Sequence, residues 1–341
     1  MFEKKIIMCG LANNKTSLGE VFRREIDCFK SFSNPDVFDL QEFAHTNTAK
    51  IDLFPQYKGP FNHDIKYFHP PFGLYNNIKK QTNPLPRDVN KKKIGYFVWE
   101  SSELHQFQQE VLQDFDEIWT ASHYCKDIFS QYIDEKLIRI IPHPIVFPKK
   151  PKKYAKFTIL IIGNISSNID RKNFEANLKV AKIISKKYKN INIILKTTTF
   201  NSEEKKKLKE LVAGYRLKII DDYLSIENVQ KLIGKCHMIL SLHRSEGFGL
   251  TLAEALSVGT IPVATGYSGN LEFMKNKETL VDYTLVDVKD NYFKGQWAEP
   301  NIDDCIDKID NIIKRGTTID SIQFLSYSNI SKLILETLQN D

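Results

Sequence analysis

"SLHRSEGFGLTLAEALSVG", residues 241–259, sets two carboxylates in an otherwise apolar stretch. Glu246 precedes a Gly-Phe-Gly turn, and Glu254, eight positions later, is the only charged residue between Phe248 and Leu271. The preceding "MILSLH" reads as a short apolar strand, so "RSEGFG" is the loop at its carboxyl end. "LTLAEALS" is the helix that follows, stopped by Gly259 at the left-handed cap position. Gly247 and Gly249 let the backbone, with Phe248 between them, come close to a ligand. The N–H groups of Gly249, Leu250 and Thr251 are the free donors of a helix start and suit a phosphate. Glu254 lies about five residues into the helix, roughly 7 Å along its axis at 1.5 Å per residue. A carboxylate repels a phosphate but accepts hydrogen bonds from hydroxyls on either side of one. Hydroxyls, a diphosphate and more hydroxyls in series describe a nucleotide-sugar. The plainer alternative is that Glu254 caps a buried network or pairs with an arginine, because an unpaired buried carboxylate is costly.

Working outward, short β-branched runs alternate with amphipathic stretches along the whole chain. "KKIIMC", "DVFDL", "KIGYFVW", "EIWTAS" and "IRIIPHP" read as strands of the first half, and residues 41–90 as irregular loops. From Ser17 the spacing of Leu18, Val21, Phe22, Ile26 and Phe29 predicts a helix, and Ser17 with Glu20 predicts a capping box at its start. "FPKKPKKYAK" breaks the pattern with prolines and lysines and reads as a linker. The alternation restarts at "FTILIIGN", "INIILKTT", "RLKIIDD", "MILSLH", "IPVAT" and "TLVDY". Strands alternating with helices imply parallel sheets covered on both faces. The expectation is two Rossmann-like α/β domains, 1–147 and 148–317, facing across a cleft, with a weakly capped helix at about 318–341 packing back on the first.

Length and composition fit this division. A chain of 341 residues suits two cores, and 42% apolar with 26% charged residues is ordinary for a globular protein. No apolar run approaches the roughly 18 to 20 residues of a membrane helix, and the start is too short in apolar residues for a signal peptide. Five widely spaced cysteines (9, 28, 125, 236, 305) without a C-x-x-C pair point to reduced thiols and a cytoplasmic protein. The net charge of +6 is concentrated in lysine runs at 91–93, 148–156 and 205–210. These are either solvated surface or an attraction to the anionic inner face of a membrane, where the protein would sit peripherally. Without interleaved aromatics or a recognition motif they do not suggest nucleic acid.

"EGFGLTLAE" reproduces the E-x7-E pattern of retaining glycosyltransferases of the GT-B fold, and "SEGFGLTLAEALSVGTIPVATGYSGNLEFM" resembles their family 4 over some thirty residues. The resemblance implies that Glu246 contacts the donor hexose near the reacting centre and that Glu254 holds the ribose hydroxyls. Arg171 and Lys172, which open the helix after "FTILIIGN", match a basic pair that clamps the diphosphate. Asn164 departs from the pattern, since an arginine often stands there. "GYFVWESSEL" and "DEIWTASHYCKDIF" resemble a subgroup with W-E and D-E-I-W-x-x-S patterns, making Glu100 an acceptor-side residue or base, with a structural role as the alternative. In the family the loop leading to Ser17, Leu18 and Gly19 lies near the transferred sugar and acceptor, which implies that these three contact substrate on the acceptor side, with capping alone as the alternative for Ser17. His243 and Lys196 are further candidates for the donor pocket. Asp114-Phe115-Asp116 spells a metal-binding D-x-D but does not sit at a strand's carboxyl end, and single histidines lack metal-ligand spacing. No metal or cofactor is expected, the nucleotide-sugar being a substrate.

The expected function is a retaining, metal-independent hexosyltransferase that uses a UDP- or GDP-sugar and a glycan or lipid-linked glycan acceptor, in surface polysaccharide biosynthesis. A nucleotide-sugar epimerase of the same fold and a non-catalytic nucleotide-sugar-binding subunit are the alternatives.

Overall fold

A computed structural model describes residues 2–44, 51–81, 91–163 and 169–340. Asn164 and parts of the 41–90 stretch lie outside the described residues. The chain forms two compact units, one of Met1–Ile145, Tyr292–Lys294 and Gln323–Asp341, the other of Val146–Asn291 and Gly295–Ile322.

The first unit runs β1 (Ile6–Gly10), α1 (Ser17–Lys30), β2 (Asp36–Asp39), β3 (Ile65–His69), α2 (Phe72–Gln81), β4 (Lys92–Tyr96), α3 (Gln106–Leu112), β5 (Glu117–Thr120), α4 (His123–Phe129) and β6 (Ile138–Ile140). Its six strands are all parallel, in the order β2-β1-β3-β4-β5-β6. Every residue of β1 and β3 is buried, as expected of central strands covered on both faces. Large aromatics fill the core: Tyr67 packs 5.3 Å from Phe29 and 5.6 Å from Trp119, centroid to centroid.

The loops expected over 41–90 contain β3 and α2, and polar residues explain why β3 escapes a pattern search. "IKYFH" neither alternates nor runs apolar. Its polar groups are satisfied by the helix above it: Glu25 of α1, 2% exposed, accepts a hydrogen bond from the Tyr67 hydroxyl at 2.9 Å and pairs with His69 Nδ1 at 2.6 Å. The expected capping box also fails. The N-cap of α1 is Thr16, which makes no side-chain cap bond, and Glu20 turns forward to Arg23 and Arg24 at 3.1 and 3.0 Å. Two guanidinium groups three and four residues ahead outcompete a single backbone amide for that carboxylate.

The second unit runs β7 (Thr158–Ile162), α5 (Phe174–Lys187), β8 (Asn192–Thr197), α6 (Ser202–Leu211), β9 (Lys218–Asp221), α7 (Ile226–Lys235), β10 (Met238–Ser241), α8 (Leu250–Ser257), β11 (Ile261–Thr265), β12 (Leu280–Val281), β13 (Tyr283–Asp287), β14 (Gln296–Pro300) and α9 (Ile302–Arg315). β7 to β12 form a parallel sheet in the order β12-β11-β10-β7-β8-β9, while β13 and β14 make an antiparallel hairpin. Branched aliphatics dominate the core, from Ile159 and Ile161 of β7 to Ile309 and Ile312 of α9. The last helix, α10 (Tyr327–Gln339), belongs to the first unit, where Cys28 Sγ of α1 lies 3.8 Å from the Tyr327 carbonyl. It starts later than the sequence suggests and is properly capped, the Ser326 hydroxyl accepting from Asn329 N–H.

All five cysteines are buried and unbridged, and none of the helices among the described residues is long and apolar enough to cross a membrane. Glu25 is the polar keystone of the first unit's core. Replacing it with alanine leaves Tyr67 and His69 buried without their acceptor, and urea unfolding should show a loss of roughly 2 to 5 kcal/mol.

Candidate active site

The order of the second sheet reverses between β7 and β10. Loops leaving the carboxyl ends of these neighbours diverge and open a crevice, the place where open α/β sheets bind ligands. The chain after β7 brings Arg171 and Lys172 there, and the chain after β10 brings Glu246.

These three side chains meet. Glu246 Oε1 pairs with Lys172 Nζ in a short contact and with Arg171 Nη1 at 3.4 Å. Arg171, only 5% exposed, also donates from Nη1 to the Ser245 carbonyl at 2.7 Å. Burial pushes the Glu246 carboxyl up, but Lys172, Arg171 and His243 together outweigh it and hold the group down at about 2. The carboxylate is therefore charged, and its negative charge is shared by two cations. Asn173, in the left-handed region at φ 48°, turns the chain into α5. Asn177 stitches that turn to β10: its amide donates to the carbonyls of Lys172 and Asn173, and its Oδ1 accepts from Leu242 N–H at 2.9 Å. Arg244 ties the same loops to the hairpin, donating from Nε to Glu299 Oε2 at 2.6 Å and from Nη1 to the Asp170 carbonyl at 2.7 Å.

Glu246 is also fixed through its backbone, by residues that sequence reasoning did not single out. Its N–H donates to Ser268 Oγ at 2.8 Å, and its carbonyl accepts from Gly269 N–H at 2.8 Å. Ser268 adopts φ 75°, ψ −151°, a backbone region that glycine alone occupies readily. A Cβ on Gly269 would stand 2.2 Å from the Gly247 carbonyl oxygen, so no larger residue fits. The clue in the sequence was the small-residue turn "GYSGN" directly after the strand "IPVAT".

The other expected residues fall as follows. Gly249, at φ 90°, is the N-cap of α8, so Leu250 and Thr251 open a helix with no preceding turn to accept from their amides. Phe248 is buried against Phe273, 5.1 Å between centroids, anchoring the loop from behind. Gly247 is buried beside Gly269, and Glu254 is buried within α8. Lys196 is the penultimate residue of β8, one strand from β7, where its Nζ donates to the Thr197 carbonyl at 2.7 Å and Thr198 Oγ1 at 3.1 Å. Burial pushes its pKa down. His243 is sealed from solvent between Ser241 Oγ at 3.2 Å and Asn270 Oδ1 at 3.1 Å, and burial lowers its pKa too. It supports the loop from beneath. Ser17, Leu18, Gly19 and Glu100 lie in the first unit. Ser17 and Leu18 are exposed, Gly19 is buried against the Asn14 carbonyl, and Glu100 is half-buried. The D-x-D carboxylates are engaged elsewhere, Asp114 with Lys79 Nζ at 2.7 Å and Asp116 with Lys93 N–H at 2.7 Å. Among the described residues no group of three or more His, Cys, Asp or Glu could hold a metal ion.

Two outcomes follow from this geometry. Ser268→Ala keeps the strained backbone and loses the hydroxyl, whereas Ser268→Gly loses the hydroxyl but relieves the strain. The alanine variant should therefore be the less stable, by about 1 kcal/mol or more in chemical denaturation. The lowered Glu246 pKa gives stability that is complete above the ordinary value of 4.5 and is lost as pH falls towards about 2. Glu246→Gln lacks that contribution. Unfolding curves through the acid range should show the wild-type advantage shrinking in that window, and a constant difference would contradict the ion cluster.

Comparison with known proteins agrees with this architecture. The glycosyl transferases group 1 family matches residues 144–321, just over half of the chain. ORF330 of Acidianus filamentous virus 2 (isolate Italy/Pozzuoli), a candidate glycosyltransferase, is 28% identical over 148 residues. That match spans 42% of this chain and 44% of the viral protein, less than half of its length. Among solved structures, Anabaena Alr3699/HepE in complex with UDP-glucose gives a TM-score of 0.69 at 13% identity, covering 99% of this chain and 100% of the other. The lipopolysaccharide outer core galactosyltransferase WaaB gives 0.66 at 15%, covering 98% and 99%. S. aureus TarM gives 0.57 at 16%, covering 81% of this chain and 54% of that one. The two parallel-sheet units thus have the GT-B fold, and the chain belongs to the glycosyl transferases group 1.

Proposed function

We propose that this glycosyltransferase is a retaining enzyme that moves a hexose from a UDP- or GDP-sugar to a hydroxyl of a glycan or lipid-linked glycan, in surface polysaccharide synthesis. The observation that carries this reading is the Arg171–Lys172–Glu246 cluster at the switch point of the second sheet, with the glycine-capped start of α8 on the same loop as Glu246. The HepE complex with UDP-glucose supports a uridine donor.

In this mechanism the diphosphate lies against the amides that open α8, with the two cations beside it. Negative charge grows on the diphosphate as the glycosidic bond breaks, and fixed N–H groups and cations stabilise it without reorganising. Glu246 holds the hexose and Glu254 the ribose hydroxyls. The acceptor hydroxyl attacks from the leaving-group face and passes its proton to the departing phosphate oxygen, so retention needs neither a protein nucleophile nor a metal. Glu100 and the turn at Ser17, Leu18 and Gly19 are assigned to the acceptor, and Lys196 to the edge of the donor pocket.

Incubation with a panel of UDP- and GDP-hexoses, with and without glycan acceptors, tests the reading. Acceptor-dependent release of nucleoside diphosphate, with the donor's anomeric configuration kept in the product by NMR, is expected. A converted nucleotide-sugar without acceptor would mean epimerisation, and binding without turnover a silent subunit; either overturns the proposal.

The two glutamates separate by their defects. Glu246→Gln should lower kcat by roughly two to three orders of magnitude. It also frees Lys172 and Arg171, so affinity for the free nucleoside diphosphate should stay level or rise. Glu254→Ala should weaken that affinity by about 1.5 to 3 kcal/mol. Equal losses of affinity in calorimetric titrations of both variants would refute the division of roles.

A further inference from the structure

At the opposite end of the second sheet, the starts of β7, β8 and β9 border a cavity of about 500 Å³. Its origin is a step in register. Thr158 of β7 pairs with Asn192, the first residue of β8, whereas Lys218, the first residue of β9, pairs with Ile194. β8 therefore begins two residues before β9, which leaves Asn192 and Ile193 without a partner on that side. The volume falls within the roughly 300–1,000 Å³ typical of small-molecule sites.

The lining is cationic. Lys156, Lys189, Arg216 and Lys218 surround the cavity, and no carboxylate lines it. Among the described residues none of the three lysines meets a carboxylate, unlike Lys172, which is paired at the other end of the sheet. Arg216 is anchored rather than free-floating: Nη2 donates to the Lys189 carbonyl at 3.0 Å and reaches those of Tyr188 and Ile191 at 3.4 and 3.5 Å. Its Nε and Nη1 meet no acceptor among the described residues. The guanidinium is thus fixed at one corner, with Nε and Nη1 left to donate singly to an anion. Tyr154 and Asn192 add a ring face, a hydroxyl and an amide to the same wall. Like charges gathered without an acid repel one another, a repulsion that water screens and a bound anion would relieve further.

We propose that this cavity is a second ligand site that binds a phosphorylated polyol, with Arg216 and the three lysines on the phosphate and Tyr154 and Asn192 on the hydroxyls. A bare phosphate would leave most of the volume empty, whereas a sugar phosphate or the headgroup of a phosphorylated glycolipid fills it. Asn192 stands four residues from Lys196 along β8, about 13 Å at roughly 3.3 Å per residue, so the cavity is distinct from the crevice that holds Glu246.

Calorimetric titration of glucose 6-phosphate, inorganic phosphate and glucose into the wild-type chain and into Lys189→Glu/Lys218→Glu tests this. Both positions are exposed, and a thermal melt confirms that the variant folds. Binding in the donor crevice is common to both proteins and cancels in the comparison. Glucose 6-phosphate should bind the wild type more tightly than either fragment and lose at least about tenfold in affinity in the variant, as expected when two cations become acids. Flotation with phosphatidylcholine vesicles, plain or doped with phosphatidylinositol phosphate, identifies the source. Variant-sensitive flotation on doped vesicles alone indicates a lipid headgroup, and variant-sensitive titration without flotation a soluble phosphosugar. No variant-sensitive binding in either assay, or glucose binding as well as its phosphate, would overturn the site.

Discussion

A single charged contact organises the second unit's ligand end: the Glu246 carboxylate held by Lys172 and Arg171. Removing a carboxylate from water costs several kcal/mol, and only close cations with further hydrogen bonds offset it. The surrounding loops are arranged to keep those cations in place. Asn177 fixes the turn that carries Lys172, Arg244 and Glu299 tie the loop after β7 to the hairpin, and Ser268 and Gly269 fix the Glu246 backbone from the other side. The strained backbone of Ser268 is explicable in this setting. A glycine there would be relaxed, but it would leave the Glu246 amide without its hydroxyl acceptor.

How much of this was legible depended on which interactions set each element. The strands of the second sheet are branched apolar runs between turn residues, because central parallel strands bury both faces, and they stood out in the sequence. β3 did not, because its Tyr67 and His69 are matched by a carboxylate forty-odd residues earlier, a tertiary solution that local periodicity cannot register. The capping box at Ser17 was misread for a related reason: the pattern was present, but Arg23 and Arg24 offered Glu20 stronger partners. At the site, the two glutamates and the basic pair were visible as residue types at suggestive positions. Their joining into one cluster was not, since it depends on two loops 74 residues apart leaving adjacent strands. Ser268 was signalled only by the small-residue turn around it, because a serine carries no mark of the glycine-like backbone it will adopt.

The two ends of this sheet differ in how their charge is balanced. At the carboxyl ends of β7 and β10 Glu246 offsets one of two positive charges before any ligand arrives. At the amino ends of β7, β8 and β9 the lysines have no such acid among the described residues. A site balanced in part by its own acid can stay folded without its ligand, and it discriminates by the exchange of partners. An unbalanced site attracts anions indiscriminately at long range and selects only by the shape of its walls. The lysine runs of the sequence therefore do not have one meaning. Lys153, from the same run as Lys156, is turned inward to the Cys236 carbonyl and Thr260 and serves the fold.

Charge balance also constrains how a diphosphate can be held at the active end. Arg171, Lys172 and Glu246 together carry one net positive charge, less than the two or more negative charges of a nucleoside diphosphate. Under the proposed donor the side chains alone cannot neutralise it. The remainder must come from neutral dipoles, and the amides that open α8 behind Gly249 are the ones the loop presents. Lys172 is the more accessible partner: its side chain is 35% exposed, whereas that of Arg171 is 6% exposed and bound to the Ser245 carbonyl. A phosphate arriving beside the helix start would draw Lys172 towards itself and leave Glu246 to Arg171 with one lone pair released. Both cations sit on Oε1, so Oε1 relieved in this way would join Oε2 as an acceptor for a sugar hydroxyl. Under the proposed function, binding of the diphosphate would thereby leave Glu246 a better acceptor for the hexose and couple the two ends of the donor.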